Sequence, residues 1–162
     1  MIFTIFHARN NRTALTGEER DYLFGRIDKY FGGKLENAWL LSTQYRSLQW
    51  YWCSAMNAKN GVLGAADPAH RAVYLMQEPF IDIAPKRPGF DPFWCDQLFP
   101  AAIHELRHIW QYRQSPLTYC LLSIPILREF TLERDAWKHT PEMEPAVGPI
   151  RRTSPPGPTQ YP

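Results

Sequence analysis

The chain has 162 residues, 44% of them hydrophobic and 14% aromatic, with 18 basic residues against 16 acidic ones. A disordered chain is excluded by that apolar content, and one folded domain with a real core fits the length. A net charge of +2, with no basic run beyond Arg151-Arg152, gives no footprint for a nucleic-acid partner.

The N-terminal "MIFTIFHARNNR" has no basic segment ahead of its short apolar stretch, so it does not read as a signal peptide. The apolar run "LLSIPIL", Leu121 to Leu127, is far too short to span a bilayer. A soluble, cytoplasmic protein is the expectation. Thr16 followed by Glu19 is a capping-box pattern. Tyr22, Leu23, Ile27, Tyr30 and Phe31 then recur at helical spacing until Gly32-Gly33, which predicts a helix over 17–31. "AWLLST" (Ala38–Thr43), "LQWYWCSAM" (Leu48–Met56) and "RAVYLMQ" (Arg71–Gln77) are short, apolar and aromatic, and predict strands. "NAKNG" and "ADPAH" read as turns, and four prolines between Glu78 and Asp96 predict mostly loop.

A second helix is predicted to about Gln114, with Asp96 as N-cap, Pro100 in its first turn, and Phe99, Ile103, Leu106 and Trp110 on its apolar stripe. A third should run from Pro125 to about His139. The fold so described is α+β over residues 1–140. Residues 141–162 carry seven prolines and are set apart as a tail expected to be disordered or extended. Cys53, Cys95 and Cys120 are odd in number and widely spaced, which argues for buried reduced thiols rather than a disulfide framework or a thiolate metal site.

The chemistry concentrates in the second helix, in His104-Glu105-Leu106-Arg107-His108. Residues four apart stack on one helix face, so both imidazoles can reach one metal ion, and zinc accepts neutral imidazole nitrogen readily. Glu105 sits a quarter-turn round, where its carboxylate can take a proton from a water on the metal without being a ligand. Gln111 and Gln114 stand where the long metzincin pattern needs glycine and a third histidine, so that branch is excluded. The third helix offers two carboxylates instead, Glu129 and Glu133.

His104–His108 followed by a helix reading "LERDAW" resembles the zincin metallopeptidases, in particular the gluzincins. In several gluzincin families the third ligand lies in a Glu-x-x-Ala pattern, which Glu133-Arg134-Asp135-Ala136 matches and Glu129-Phe130-Thr131-Leu132 does not. The resemblance covers about residues 71–139. It implies a small zincin-like domain with a short mixed sheet, in which zinc is held by His104, His108 and Glu133, with Glu105 as general base. It also implies hydrolysis of a peptide bond in a peptide or protein substrate, with "RAVYLMQ" as the sheet edge bordering the cleft. Glu133 is favoured over Glu129 because it falls mid-helix and Ala136 leaves room for close packing. Tyr119, Arg128 and His139 are candidate oxyanion donors, though each reads more simply as structural or exposed. Asp135 can orient a ligand histidine, and Gln111 can face the cleft or solvent. His7 and His70 read as surface or turn residues, and Trp94, Trp110 and Trp50–Trp52 as core. The alternatives are an inactive zincin-fold zinc-binding or protein-interaction module, and a helical module whose histidines bind nothing.

Overall fold

The computed structural model describes residues 8–10, 12–53, 64–76 and 92–141. The strands are β1 (Arg12–Ala14), β2 (Gln49–Cys53), β3 (Gly64–Asp67) and β4 (Ala72–Met76). The helices are α1 (Gly17–Phe31), α2 (Trp39–Thr43), α3 (Pro92–Gln114), α4 (Pro116–Leu122), α5 (Pro125–Arg128) and α6 (Arg134–His139). The architecture is α+β around a mixed sheet of order β1-β2-β4-β3. β2 and β4 run parallel, with Tyr51 opposite Tyr74, and the flanking pairs β1–β2 and β3–β4 are antiparallel.

The sheet is buried on both faces, and its side chains alternate accordingly. Trp50, Trp52, Val73 and Leu75 face the main core with Leu23, Phe24 and Ile27 of α1 and Ile103, Leu106 and Ile109 of α3. Cys53, Ala65, Ala72 and Tyr74 pack on the other side with Ala8. The stretch Leu48–Met56 is therefore a strand over its described part, residues 49–53, with its tryptophans in the core as their alternation requires. Helix α1 has the expected bounds. Thr16 accepts from the Glu19 backbone, Glu19 returns the bond to the Thr16 N–H, and Gly32 closes the helix at φ 50°.

Several expectations are corrected. Ala38–Thr43 is not a strand; Trp39–Thr43 is the short helix α2. Its buried residues are Trp39, Leu40 and Thr43, a one-turn helical spacing, while Leu41 and Ser42 face out. A short apolar run does not distinguish helix from strand until its exposed positions are known. Asp96 is not an N-cap, because α3 already starts at Pro92 and runs for 23 residues with Pro100 inside it. Of the stretch expected to be loop, residues 78–91 lie outside the described residues and residues 92–96 are helical; the turn "NAKNG", His7 and the tail from residue 142 onward also lie outside the described residues. Helix α4 is an element the sequence reading did not isolate, with Ser115 as its cap. Cys53 is buried as expected, whereas Cys120 is exposed, and both are free thiols.

The strand "RAVYLMQ" exists as β4, but it is not an edge: it lies between β2 and β3. The edge next to the histidine helix is β3, which doubles back onto β4 through Pro68–His70 and a left-handed Arg71 at φ 52°. Alanine-rich and only four residues long, β3 carries too little apolar pattern to stand out from its flanking turns. No described helix is long and apolar enough to cross a membrane.

Candidate metal centre

Helix α3 is buried on every side around the motif. Ile103, Leu106 and Ile109 press on the sheet, which leaves His104 and His108 facing the helical run that starts at Pro125. That run is continuous in chain but not uniform: α5 passes into a π-helical segment, Glu129–Glu133, and then into α6. Glu133 is the last residue of the π segment, a local widening inside a helix that is frequent at functional sites. Ala136, one turn on, is fully buried, so α6 closes tightly on α3. The expected single helix from Pro125 to His139 is correct in extent, with this widened turn inside it.

His104, His108 and Glu133 come together with one donor atom each, all within 4.8 Å of one another. His104 Nε2 lies 3.0 Å from Glu133 Oε2, and His108 Nε2 lies 3.4 Å from Glu133 Oε1. The second contact lacks hydrogen-bond geometry, and His108 Nε2 is a buried polar atom with no hydrogen-bond partner among the described residues. Glu129 is exposed and takes no part.

The far nitrogens explain what faces inward. His108 Nδ1 is 2.8 Å from Gln111 Oε1. That oxygen is fixed as an acceptor, because the Gln111 amide nitrogen donates to Leu132 C=O (3.0 Å) and to Asp135 Oδ2 (2.8 Å). His104 Nδ1 is 3.3 Å from Thr140 Oγ1, whose proton goes to Ala136 C=O at 2.8 Å. Both histidines thus donate from Nδ1, which leaves a lone pair on each Nε2. In that tautomer the two Nε2 lone pairs meet the Glu133 carboxylate, whose Oε1 is paired with Arg128, in a buried site, an arrangement that a divalent cation satisfies.

Glu105 projects toward the edge strand. Its carboxyl accepts the Ala66 backbone N–H, and burial pushes its pKa from 4.5 up to about 7 against the opposing pull of His104. Gly64 is shaped by this contact, since a β-carbon there would lie 2.7 Å from Glu105 Cγ. Glu133 moves the other way. Burial would raise it, but the two imidazoles and Arg128 hold it well below the usual carboxylate range. Arg128 pairs directly with Glu133 Oε1.

The remaining candidates separate cleanly. Tyr119 on α4 is buried, its hydroxyl has no partner among the described residues, and burial raises its pKa. Its ring lies 6.4 Å, centroid to centroid, from that of His108. His139 bonds the Asp135 backbone carbonyl (2.8 Å) and packs edge-on to Trp39. It is a structural residue. Asp135 bonds neither His104 nor His108; it bonds Gln111 and Arg107, one step back from His108. His70 sits on the surface against Asp67 and Arg9. Trp110 packs at the core margin under the Arg107 guanidinium, 3.8 Å from its centroid. Sequence reasoning missed the functions of Gln111, Thr140 and Gly64. For Gln111 a signal existed, since it lies three residues from His108 on the same face.

Comparison with known proteins returned no match, whether to family models, to characterised proteins or to solved structures.

Proposed function

We propose that this chain is a zincin-like, zinc-dependent peptidase. The observation that carries the reading is the convergence of the two Nε2 lone pairs and the Glu133 carboxylate beside a buried Glu105. His104, His108 and Glu133 would hold the ion, leaving a fourth position open to water or substrate. Bound there, zinc supplies Lewis acidity, which makes water a nucleophile near neutral pH and polarises a carbonyl.

The chain's own residues do the rest. Glu105 takes the proton of the attacking water and carries it to the leaving amine, a shuttle suited to a carboxyl whose pKa stands near 7. Its bond to the Ala66 N–H fixes the carboxyl against β3, so proton transfer starts from one geometry. The Tyr119 hydroxyl, buried and unpaired, is free to donate to the oxyanion that forms when the carbonyl is attacked. Arg128 holds Glu133 anionic and aimed inward. The substrate is a peptide or protein, as the resemblance to gluzincins suggests.

The test is direct. Purified protein should contain about one zinc per chain, hydrolyse a mixed peptide library, and lose that activity on chelation and on Glu105→Gln. Protein that takes up no zinc overturns the reading. Zinc-loaded protein that cleaves nothing reduces it to a binding module.

A further inference from the structure

Neither ligand histidine is backed by a carboxylate. His108, the more deeply buried, is backed by the neutral amide of Gln111, which stands between it and the Asp135–Arg107 pair. Three bonds leave Gln111 in defined directions: Oε1 toward His108 Nδ1 at 2.8 Å, Nε2 to Leu132 C=O at 3.0 Å, and Nε2 to Asp135 Oδ2 at 2.8 Å. Turning the amide over would set its oxygen against two acceptors and its NH2 against an N–H, so only one orientation is satisfied. Asp135 is itself held by the Arg107 Nε and Nη2 at 2.7 and 3.1 Å. The Arg107 guanidinium is clamped between the rings of Trp39 and Trp110, 4.9 and 3.8 Å from their centroids.

We infer that Gln111 is a positioning residue: anchored through Asp135 and Arg107, it holds His108 in the Nδ1–H tautomer so that Nε2 presents its lone pair to the metal. This rests on the metal reading proposed above. The bond to Leu132 C=O extends the role. Leu132 precedes Glu133 in the π segment, so one amide registers the backbone of the carboxylate ligand against the imidazole ligand. A single side chain thereby sets two of the three metal-binding groups relative to each other. The neutral amide also keeps full negative charge away from the His108 ring, leaving Glu133 as the one anionic ligand.

Gln111→Leu, which keeps bulk but removes the acceptor and both donors, is the first variant. Zinc affinity, measured by competition with a chromogenic chelator, is expected to fall about 10- to 100-fold, the usual scale for removing a partner of a ligand histidine. In zinc-loaded wild-type protein, proton–nitrogen NMR should show one protected His108 Nδ1–H; in Gln111→Leu that proton should exchange with solvent. Gln111→Met, which matches the glutamine in length and fills the same space without the amide, should lose affinity to the same extent, whereas a space-filling role predicts wild-type affinity. If neither variant folds, the wild-type spectrum decides: zinc-loaded protein in which His108 shows no protected Nδ1–H refutes the role. Wild-type affinity in a folded Gln111→Leu refutes this inference alone. Absence of zinc binding by wild-type protein refutes the metal reading and this inference with it.

Discussion

Gly64 offers a perturbation whose size follows from the coordinates. An added β-carbon would lie 2.7 Å from Glu105 Cγ, 3.0 Å from its Oε1 and 3.2 Å from its Cδ. Carbon atoms pack best at about 3.5–4.0 Å, so Gly64→Ala forces a displacement of about 1 Å. Glu105 is the group that yields, because β3 is held by the β4 ladder, whereas the glutamate side chain can rotate once its bond to the Ala66 N–H gives way. Overpacking of this kind costs about 1–3 kcal/mol. Removing a glycine from the unfolded chain offsets about 0.4–1 kcal/mol. For a domain of this size the net loss lowers the melting temperature by up to about 10 °C. The effect on catalysis should be larger, since misplacing a reacting group by about 1 Å costs roughly 100-fold. His104 and His108 converge on Glu133 rather than on β3, so zinc content should stay at wild-type level. Calorimetry, elemental analysis and a peptide-cleavage assay on the same preparation measure all three. Gly64→Ala with unchanged melting temperature and full activity would refute the packing argument.

Glu133→Ala should strip the metal, whereas Glu129→Ala should retain it; elemental analysis of the two variants checks the assignment of the third ligand. Tyr119→Phe removes a buried hydroxyl without a partner, so it should keep or slightly raise the melting temperature while lowering kcat by about 10²–10³, the scale for loss of one oxyanion donor. Glu105→Gln should keep zinc and lose activity by about 10²–10⁴, as removal of a general base does. In metal-free protein the same variant tests the pKa. With its folded value raised from 4.5 to about 7, Glu105 binds its proton more tightly folded than unfolded. The resulting stability is full below pH 4.5 and is lost as pH rises to about 7, by about 3 kcal/mol in all. Metal-free Glu105→Gln should therefore melt above wild type at pH 8 and converge with it near pH 5.

The histidine pair and its glutamate were legible because a helix fixes which residues share a face, and because α1 and α3 carry long apolar stripes with unambiguous period. Glu133 was legible by weaker signs, a mid-helix position and the small Ala136 beyond it. The edge strand was not, since four residues of Gly-Ala-Ala-Asp have no alternation strong enough to mark a strand, and an edge is a property of the sheet rather than of a segment. Helix α2 was misread because its exposed Leu41 looks as apolar as its buried neighbours. The π segment has no sequence period of its own, being set by how α5 and α6 must meet α3. Gln111 and Thr140 matter through bonds to partners 21 to 36 residues away, which spacing along one helix does not reveal.

Two neighbouring carboxyls receive opposite treatment, and that difference fits the roles proposed for them. Glu133 faces two imidazoles and Arg128, and it stays ionised far into acid. A carboxyl that stays ionised suits a ligand to a cation. Glu105 has one backbone N–H and otherwise buried surroundings, so its pKa rises to about 7. A carboxyl poised there can both accept and return a proton at neutral pH, which Glu133 cannot do. Environments that push neighbouring carboxyls apart are how one fold obtains a ligand and a base from the same side chain. The separation here comes from the burial of Glu105, which outweighs the opposing Ala66 N–H, and from the imidazoles and Arg128 around Glu133. Arg128 lies outside the His-Glu-x-x-His motif, so the motif alone does not set the difference.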